Sequence, residues 1–371
     1  MGTEPESKKG VVAVAMSGGV DSSIAAALLK EEDREVFGLT MNLFSLPPEF
    51  CASEKLKSCC GWKAREDAHR VAVALGIPHY VVDLRPEFER NVIADFCREY
   101  GRGRTPNPCV RCNQFIKFGL LLDRARRLGA EFVATGHYAS IEPAREKGRR
   151  RLLKGADPEK DQSYFLFNLT QDLLATTIFP VGGKTKTEVR GLAARLGLPV
   201  ASKPESQEIC FVPDKNYPGF LKDRCPEAFR RGPITDLEGR NIGEHHGIAY
   251  FTVGQRKGMG IAAAHPLYVV AIDPERNTVI AGRNEDLYRR RLLASHLNWI
   301  AFDKPAAPFQ AKAKIRYKHT EAKCLIEPRD PDQVLVEFER PQRAVTPGQA
   351  VVFYDGEEVL GGGIIDRALE V

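Results

Sequence analysis

Two stretches of the chain place reactive residue types at spacings suited to chemistry. Ser17-Gly18-Gly19-Val20-Asp21-Ser22-Ser23 follows an apolar run, Val11–Met16, and opens a helical pattern that reaches Lys30. Glycines let backbone N–H groups approach an anion, and a helix start adds unpaired donors and a favourable dipole. Ser17, Ser22 and Ser23 add hydroxyls. A plain turn with a serine cap needs only part of that string, so the whole of it favours a phosphate site. The sequence lacks Gly-x-x-x-x-Gly-Lys-Ser/Thr, and with it the lysine that serves a transferring γ-phosphate. The second stretch is Arg104-Thr105-Pro106-Asn107-Pro108-Cys109-Val110-Arg111-Cys112-Asn113, read as a rigid basic loop before a helix that starts near Gln114. Thiols beside arginine and a helix start ionise more readily, which raises the reactive thiolate fraction. A further thiol stands in Glu208-Ile209-Cys210-Phe211. Cys-x-x-Cys alone admits a redox pair, half a zinc site or a nucleophile. No second Cys-x-x-Cys and no finger-like histidine spacing occurs, which speaks against zinc.

These stretches must be positioned by a framework, and the chain is long enough to supply one. Its 371 residues suggest two or three domains, and 43% hydrophobic content excludes a wholly disordered chain. No apolar run approaches the roughly 18 residues of a membrane span, and Val11–Met16 is too short for a signal-peptide core. A cytoplasmic protein without membrane contact is expected. Such a chain needs no disulfide scaffold, so its nine cysteines point to redox, sulfur or metal chemistry where they cluster. Cys97 and Cys324 read as small core residues, and Cys59-Cys60 as structural. In the first half, Val11–Met16, Glu35–Met41, His79–Leu84 and Glu131–His137 read as buried strands. Helical patterns over Asp21–Lys30, Trp62–Leu75, Pro86–Tyr100 and Gln114–Leu128 separate them. That alternation predicts a doubly wound parallel sheet, an α/β fold with ligands beyond the carboxyl ends of the strands. Ala134-Thr135-Gly136-His137-Tyr138 then forms the second wall of the crevice. Gly136 allows nucleotide contact, His137 by itself reads as structural, and Met41 packs against either adenine or the core. A helix near Thr185–Leu196 closes this part. From about residue 285 the pattern turns to period-two strands at Ala311–Lys318, Gln333–Phe338, Ala350–Tyr354 and Val359–Ile365, a small β-barrel or sandwich.

The serine–glycine loop resembles the PP-loop of ATP pyrophosphatases, which break ATP between its α- and β-phosphates and adenylate a substrate oxygen. On that likeness Asp21 helps hold Mg²⁺ on the phosphates. With Thr105–Asn113, Ala134–Tyr138, Lys160–Phe165, Phe179–Gly182, Ile209–Phe211, Gly254–Gly258 and Thr346–Gln349, the chain resembles the tRNA-specific 2-thiouridylases over nearly its whole length. The resemblance implies an N-terminal PP-loop ATP pyrophosphatase domain (1–203), a small central domain (204–284) and a C-terminal β-barrel that contacts tRNA (285–371). It implies a tRNA-uridine 2-sulfurtransferase that adenylates O2 of the wobble uridine, position 34, and delivers sulfur to C2. Products are 2-thiouridine, AMP and pyrophosphate. Cys210 then corresponds to the cysteine that takes up sulfur as a persulfide from a sulfur-relay or cysteine-desulfurase protein. Cys112 is its partner, and the two form a disulfide after turnover. Ala15, Met16, Ser17, Gly18, Gly19, Val20, Asp21, Ser22, Met41 and Gly136 map to ATP contacts. Asn107, Pro108 and Cys109 map to the target base, and His137, Lys160, Asp161, Gln162, Arg316, Tyr317 and Gln349 to tRNA.

Some members of that family carry an acidic residue where this chain has Cys109. Its replacement by a thiol opens an alternative in which Cys109, Cys112 and Cys210 ligate an iron–sulfur cluster that accepts the transferred sulfur. Charge is +5 overall, which says little, but its distribution says more. Lys312, Lys314, Arg316 and Lys318 alternate with apolar residues, so one strand would present all four to phosphates. Further basic groups stand at Arg102–Arg104, Arg149–Arg151 and Arg289–Arg291. A PP-loop ligase using ammonia, such as an amidotransferase, would need neither paired cysteines nor basic patches. A non-catalytic RNA-binding module would not need the nucleotide loop.

Overall fold

The computed structural model describes residues 10–45, 61–144, 148–205, 209–212, 216–330 and 332–369. Cys51, Cys59, Cys60 and Glu208 lie outside them. Contacts divide the chain into two compact units: the described residues of Met1–Glu89 and Val110–Pro213, and those of Arg90–Cys109 and Asp214–Val371.

In the first unit, strands β1 (Val12–Ala15), β2 (Val36–Asn42), β3 (His79–Asp83) and β4 (Phe132–Ala134) are followed by a hairpin, β5 (Ala139–Pro143) with β6 (Arg150–Lys154), and by β7 (Thr177–Ile178). A five-stranded parallel sheet runs in the order β3-β2-β1-β4-β7. Successive residues of β1 serve opposite faces, as strand geometry requires. Val12 and Val14 pack with Ile24, Ala68, Val71 and Val189, which lie on helices α1 (Val20–Glu31), α2 (Trp62–Leu75) and α3 (Lys186–Arg195). Ala13 and Ala15 pack instead with Phe37, Leu39, Leu121 and Val133. The sheet is therefore covered on both sides, the doubly wound arrangement that the alternating pattern predicts. Its strand order reverses between β1 and β4, and such a switch point opens a ligand crevice beyond the strand ends.

Local differences from the sequence reading have local causes. β3 is present but is not buried: it is the edge strand, and Tyr80 and Val81 remain 47% and 52% exposed. The stretch expected as one helix over Pro86–Tyr100 is α-helical at Arg85–Phe88, π-helical at Glu89–Ile93 and α-helical again at Ala94–Gly101. The helix expected from Gln114 starts earlier, at Pro108, and passes through a π-helical segment, Cys112–Leu120, into Leu121–Arg127. Asn107 caps that start, its Oδ1 accepting the Cys109 N–H at 3.2 Å. Pro108 fills the first helical position, where a missing N–H costs nothing.

The second unit holds a four-stranded sheet of β8 (Gly232–Thr235), β9 (Asn241–His245), β10 (Tyr268–Asp273) and β11 (Thr278–Gly282), ordered β10-β11-β8-β9. It also holds β12 (Tyr288–Trp299), β13 (Phe309–Lys314), β14 (Ala322–Asp330), β15 (Gln333–Arg343), β16 (Ala350–Asp355) and β17 (Glu358–Leu369). These run β12-β15-β14-β13-β16-β17, and β12 pairs with β17 to close a six-stranded barrel. Phe338, Phe353, Val336 and Ile365 fill its interior. The barrel thus meets the expectation from period-two patterning, but its basic ladder does not form. β13 ends at Lys314 because the chain turns there and buries Ile315. The Lys314 ammonium lies 5.3 Å from the Tyr354 ring centroid and 3.8 Å from Glu321, while Arg316 donates to the Arg343 carbonyl at 3.0 Å. Lys312, Lys314, Arg316 and Lys318 are therefore not one strand face.

Candidate nucleotide crevice and thiol segments

The serine–glycine loop sits at the switch point because β1 delivers it there and α1 leaves from it. Gly19 is the N-cap of α1 without any side-chain cap, so the first helical N–H groups stay available to an anion. Ser22 Oγ accepts the Ser17 N–H at 3.2 Å and donates to the Gly19 carbonyl at 3.2 Å. Ser23 Oγ donates to the same carbonyl at 2.8 Å. Gly18 adopts φ +66°, and a Cβ there would strike the backbone carbonyl of Ala64 in α2. Lys203 donates to the Gly18 carbonyl at 2.8 Å and pairs with Asp67, holding the loop from behind. Met16 is buried at 2% exposure, so only its backbone can face a ligand, whereas Met41 is half-buried at the carboxyl end of β2.

After β4 the chain returns to this loop. A Cβ at Gly136 would lie 2.5 Å from the Ser22 nitrogen and 2.6 Å from the Asp21 carbonyl carbon, so only glycine lets the two backbones meet. Tyr138 donates its hydroxyl to Asp21 Oδ1 at 2.8 Å, and Gln162 Oε1 accepts the Tyr138 N–H at 3.0 Å. Lys186, at the first position of α3, reaches both Asp21 oxygens at 2.7 and 2.8 Å and Glu205 at 3.1 Å. Lys160 joins from the other side, 2.8 Å from Glu205. Two lysines thus face two carboxylates beside the anion loop. Burial raises the Glu205 carboxyl, yet hydrogen bonds from Lys160 and Lys186 outweigh it and leave the group below its ordinary value. Burial, reinforced by the Asp21 charge, pushes the Tyr138 hydroxyl well up, so it stays protonated as a donor. Lys186, Lys203 and Glu205 were not among the sequence candidates. The available signal was the Thr185/Glu188 capping box, which fixes where α3 starts and hence which residue leads it.

Two other candidates are held inside this unit. His137 is 8% exposed, its Nδ1 2.7 Å from Thr135 Oγ1, with the rings of Phe118 and Phe179 each 5.9 Å away. Burial and then Lys117 hold its pKa well below the ordinary value, so the ring is neutral. Asp161 is 6% exposed and accepts from the Gly155 and Ser163 N–H groups and from the Ser163 hydroxyl.

Cys112 and Cys210 both belong to the first unit. Cys112 is 9% exposed at the head of the π-helical segment, a departure from α geometry that recurs at functional sites. Cys210 is half-buried, and the neighbouring Phe211 meets Phe88 edge-on at 5.7 Å. The Arg85–Phe88 helix packs in turn against Cys112–Leu120, so both thiol segments border the same short helix. Beside Cys112, buried Asn113 donates to the Phe165 carbonyl at 3.0 Å, but its Oδ1 has no hydrogen-bond partner among the described residues. An orphaned buried acceptor costs about 1–3 kcal/mol, an expense that a donor from a bound group would offset. Cys109 is exposed in the second unit. Among the described residues no three His, Cys, Asp or Glu side chains stand together as candidate metal ligands. Cys97 and Cys324 are buried as expected, and burial pushes the Cys324 thiol up to about 12. In the second unit Arg316 and Tyr317 lie in the turn after β13, half-buried, and Gln349 donates to the Thr105 carbonyl at 2.9 Å.

Comparison with known proteins gives a family. Residues 10–214 match the family described as tRNA methyl transferase HUP domain, 218–283 its PRC-barrel domain, and 289–365 the aminomethyltransferase beta-barrel domain. The tRNA-specific 2-thiouridylase MnmA of Symbiobacterium thermophilum is 53% identical over 370 residues, 99% of this chain and 94% of that protein. The chain belongs to the tRNA-specific 2-thiouridylase family. The family's member from Heliobacterium modesticaldum is likewise 53% identical, over 98% of this chain and 94% of its own length. Among solved structures, the U34-tRNA thiolase NcsA of Methanococcus maripaludis aligns over 61% of this chain and 70% of that one. Its TM-score is 0.35 at 19% identity, too low to carry residue roles across. No helix among the described residues is long and apolar enough to cross a membrane.

Proposed function

We propose that the protein thiolates the wobble uridine of tRNA at C2 at the expense of ATP, as a tRNA-uridine 2-sulfurtransferase. The observation that carries this reading is 53% identity to 2-thiouridylases along almost the entire chain. The domain descriptions speak of methyl transfer instead. An anion loop at the sheet's switch point, with two thiol segments in the same unit, suits thiolation better.

ATP binds with its phosphates on Ser17–Ser22 and the N-terminus of α1, its adenosine between the ends of β1, β2 and β4 near Ala15, Met41 and Gly136. Mg²⁺ commonly takes one or two carboxylates and completes its shell with phosphates and water, which Asp21 suits. When bound it neutralises phosphate charge. Lys186 offsets charge on the departing pyrophosphate, a task that oriented cations perform in phosphoryl chemistry. The uracil O2 attacks the α-phosphorus, the α–β bond breaks, and pyrophosphate leaves. The terminal sulfur of a Cys210 persulfide attacks C2, the C2–O bond breaks, and AMP departs with the former O2. Cys112 thiolate attacks Cys210 Sγ, which releases 2-thiouridine and leaves a Cys112–Cys210 disulfide for an external thiol to reduce. A persulfide-bearing relay or desulfurase protein supplies each sulfur. Asn107, Pro108 and Cys109 face the target base, and Lys160, Gln162, Arg316 and Tyr317 contact the tRNA. Residues 1–203 would carry the nucleotide chemistry, 204–284 the connection and 285–371 the RNA docking.

Mass analysis of nucleosides from unmodified tRNA incubated with enzyme, ATP and a sulfur donor tests the reading. It requires 2-thiouridine that depends on ATP. Uridine recovered unmodified, or 2-thiouridine formed equally without ATP, would refute it.

A further inference from the structure

The segment before Cys109 is fixed within the second unit at every polar group of Thr105, its backbone to the barrel and its hydroxyl to Thr252. The Thr105 N–H donates to the Pro347 carbonyl at 2.9 Å, its hydroxyl to Thr252 at 3.1 Å, and its carbonyl accepts from Gln349 Nε2 at 2.9 Å. Gly348, at φ +91°, lies so close that a Cβ would stand 2.9–3.0 Å from the Thr105 backbone. Arg104 ties the preceding turn to the carbonyls of Ile365 and Asp366 at 3.1 and 3.2 Å and to Glu99 at 2.6 Å. Thr105 and Pro347–Gln349 belong to two sequence motifs far apart in the chain, and here they meet as complementary halves of one clamp.

We infer that Gln349 is a positioning residue, one that holds the Thr105–Cys109 segment on the barrel so that Asn107 and the helix start at Pro108 present a fixed edge to the target base. The inference rests on the thiolation reading. A side-chain amide whose N–H is committed to a backbone carbonyl acts first through that backbone. The next fixed points along the chain are the Asn107 cap and Pro108, after which Cys109 emerges exposed. A rigid approach matters because small misplacements of a reacting group cost large factors in rate. The barrel thereby contributes to chemistry as well as to docking.

The test compares wild type with Gln349→Met, which keeps the length but has no donor, and Gln349→Glu, which sets an acceptor against the Thr105 carbonyl. Single-turnover thiolation at saturating tRNA, started from enzyme whose Cys210 has been loaded with a persulfide by a cysteine desulfurase and cysteine, is measured beside tRNA Kd by filter binding. Both variants are expected to lose at least tenfold in saturating rate, Gln349→Glu more, while Kd stays within twofold. A rise in Kd with the saturating rate preserved would make Gln349 an RNA contact and overturn the inference. Should Gln349→Met not fold, Gln349→Asn, one methylene too short to reach Thr105, carries the same two outcomes. Wild type producing no 2-thiouridine would instead overturn the thiolation reading.

Discussion

Replacing Lys186 by Met probes the charge arrangement of the nucleotide crevice most sharply. The ammonium lies 2.7 Å from Asp21 and 3.1 Å from Glu205, with its side chain 11% exposed. Asp21 and Glu205 are 31% and 26% exposed, so solvent screens them in part. A unit charge about 4 Å from a phosphate interacts by about 4 kcal/mol at an effective dielectric of 20, and halving that for screening leaves about 2 kcal/mol. That corresponds to about 30-fold in kcat/KM for ATP. The assay is tRNA-dependent pyrophosphate release across a range of ATP concentrations. The same change takes the ammonium away from Asp21, while Glu205 keeps Lys160 at 2.8 Å, so thermal stability should fall as well. Asp21→Asn added to Lys186→Met removes the carboxylate charge left beside the missing ammonium and should recover part of the Tm without recovering kcat/KM. Activity of Lys186→Met within threefold of wild type would refute the argument. Full recovery of activity in the double variant would do the same, because it would reduce Lys186 to a partner of Asp21.

Other perturbations follow from the same geometry. Gly136→Ala places a methyl group against the start of α1, and overpacking of about 1–3 kcal/mol there should raise the KM for ATP about tenfold, with tRNA Kd unchanged by filter binding. Cys210→Ser should abolish thiolation yet permit pyrophosphate release, whereas Cys324→Ser, at a buried thiol far up in pKa, should leave thiolation intact; nucleoside mass analysis reads both. His319 is lowered from 6.5 to about 4 by burial first, then by Arg316 and Lys314. Its ring is neutral in the fold while the unfolded chain takes a proton below about pH 6.5, so its contribution is full above that pH and declines as pH falls towards about 4. Melting temperatures at about pH 7.5 and about pH 5 should accordingly differ less in His319→Gln than in wild type.

Much of the framework was legible because periodicity reports burial. Val12 to Ala15, buried on both faces, read as a buried strand, and a parallel sheet covered on both sides then followed from alternation with helices. The anion loop was legible because glycines and serines are needed there for reasons independent of the rest of the fold. Asn107-Pro108 is a helix start in local chemistry, but two nearby prolines made it look like a loop. β12 escaped notice because Arg289–Arg291 and bulges at 289/291, 293/294 and 295/298 break its alternation, and His296 sits at φ +52°. The run Lys312–Lys318 kept a strand's period past the point where the chain turns, since Ile315 is buried on either path. Lys186 and Lys203 reach the loop through tertiary placement of segments beyond β7, and the capping box marks only that Lys186 leads its helix, not what it faces.

The central claim is that ATP activates the oxygen that sulfur replaces. Transfer RNA carrying ¹⁸O at O2 of the wobble uridine, incubated with ATP and a sulfur donor, puts it to a direct test. Mass analysis should find the label in AMP, one atom for each 2-thiouridine formed. Thiolation with the label absent from AMP, or retained in the nucleoside, would contradict the account.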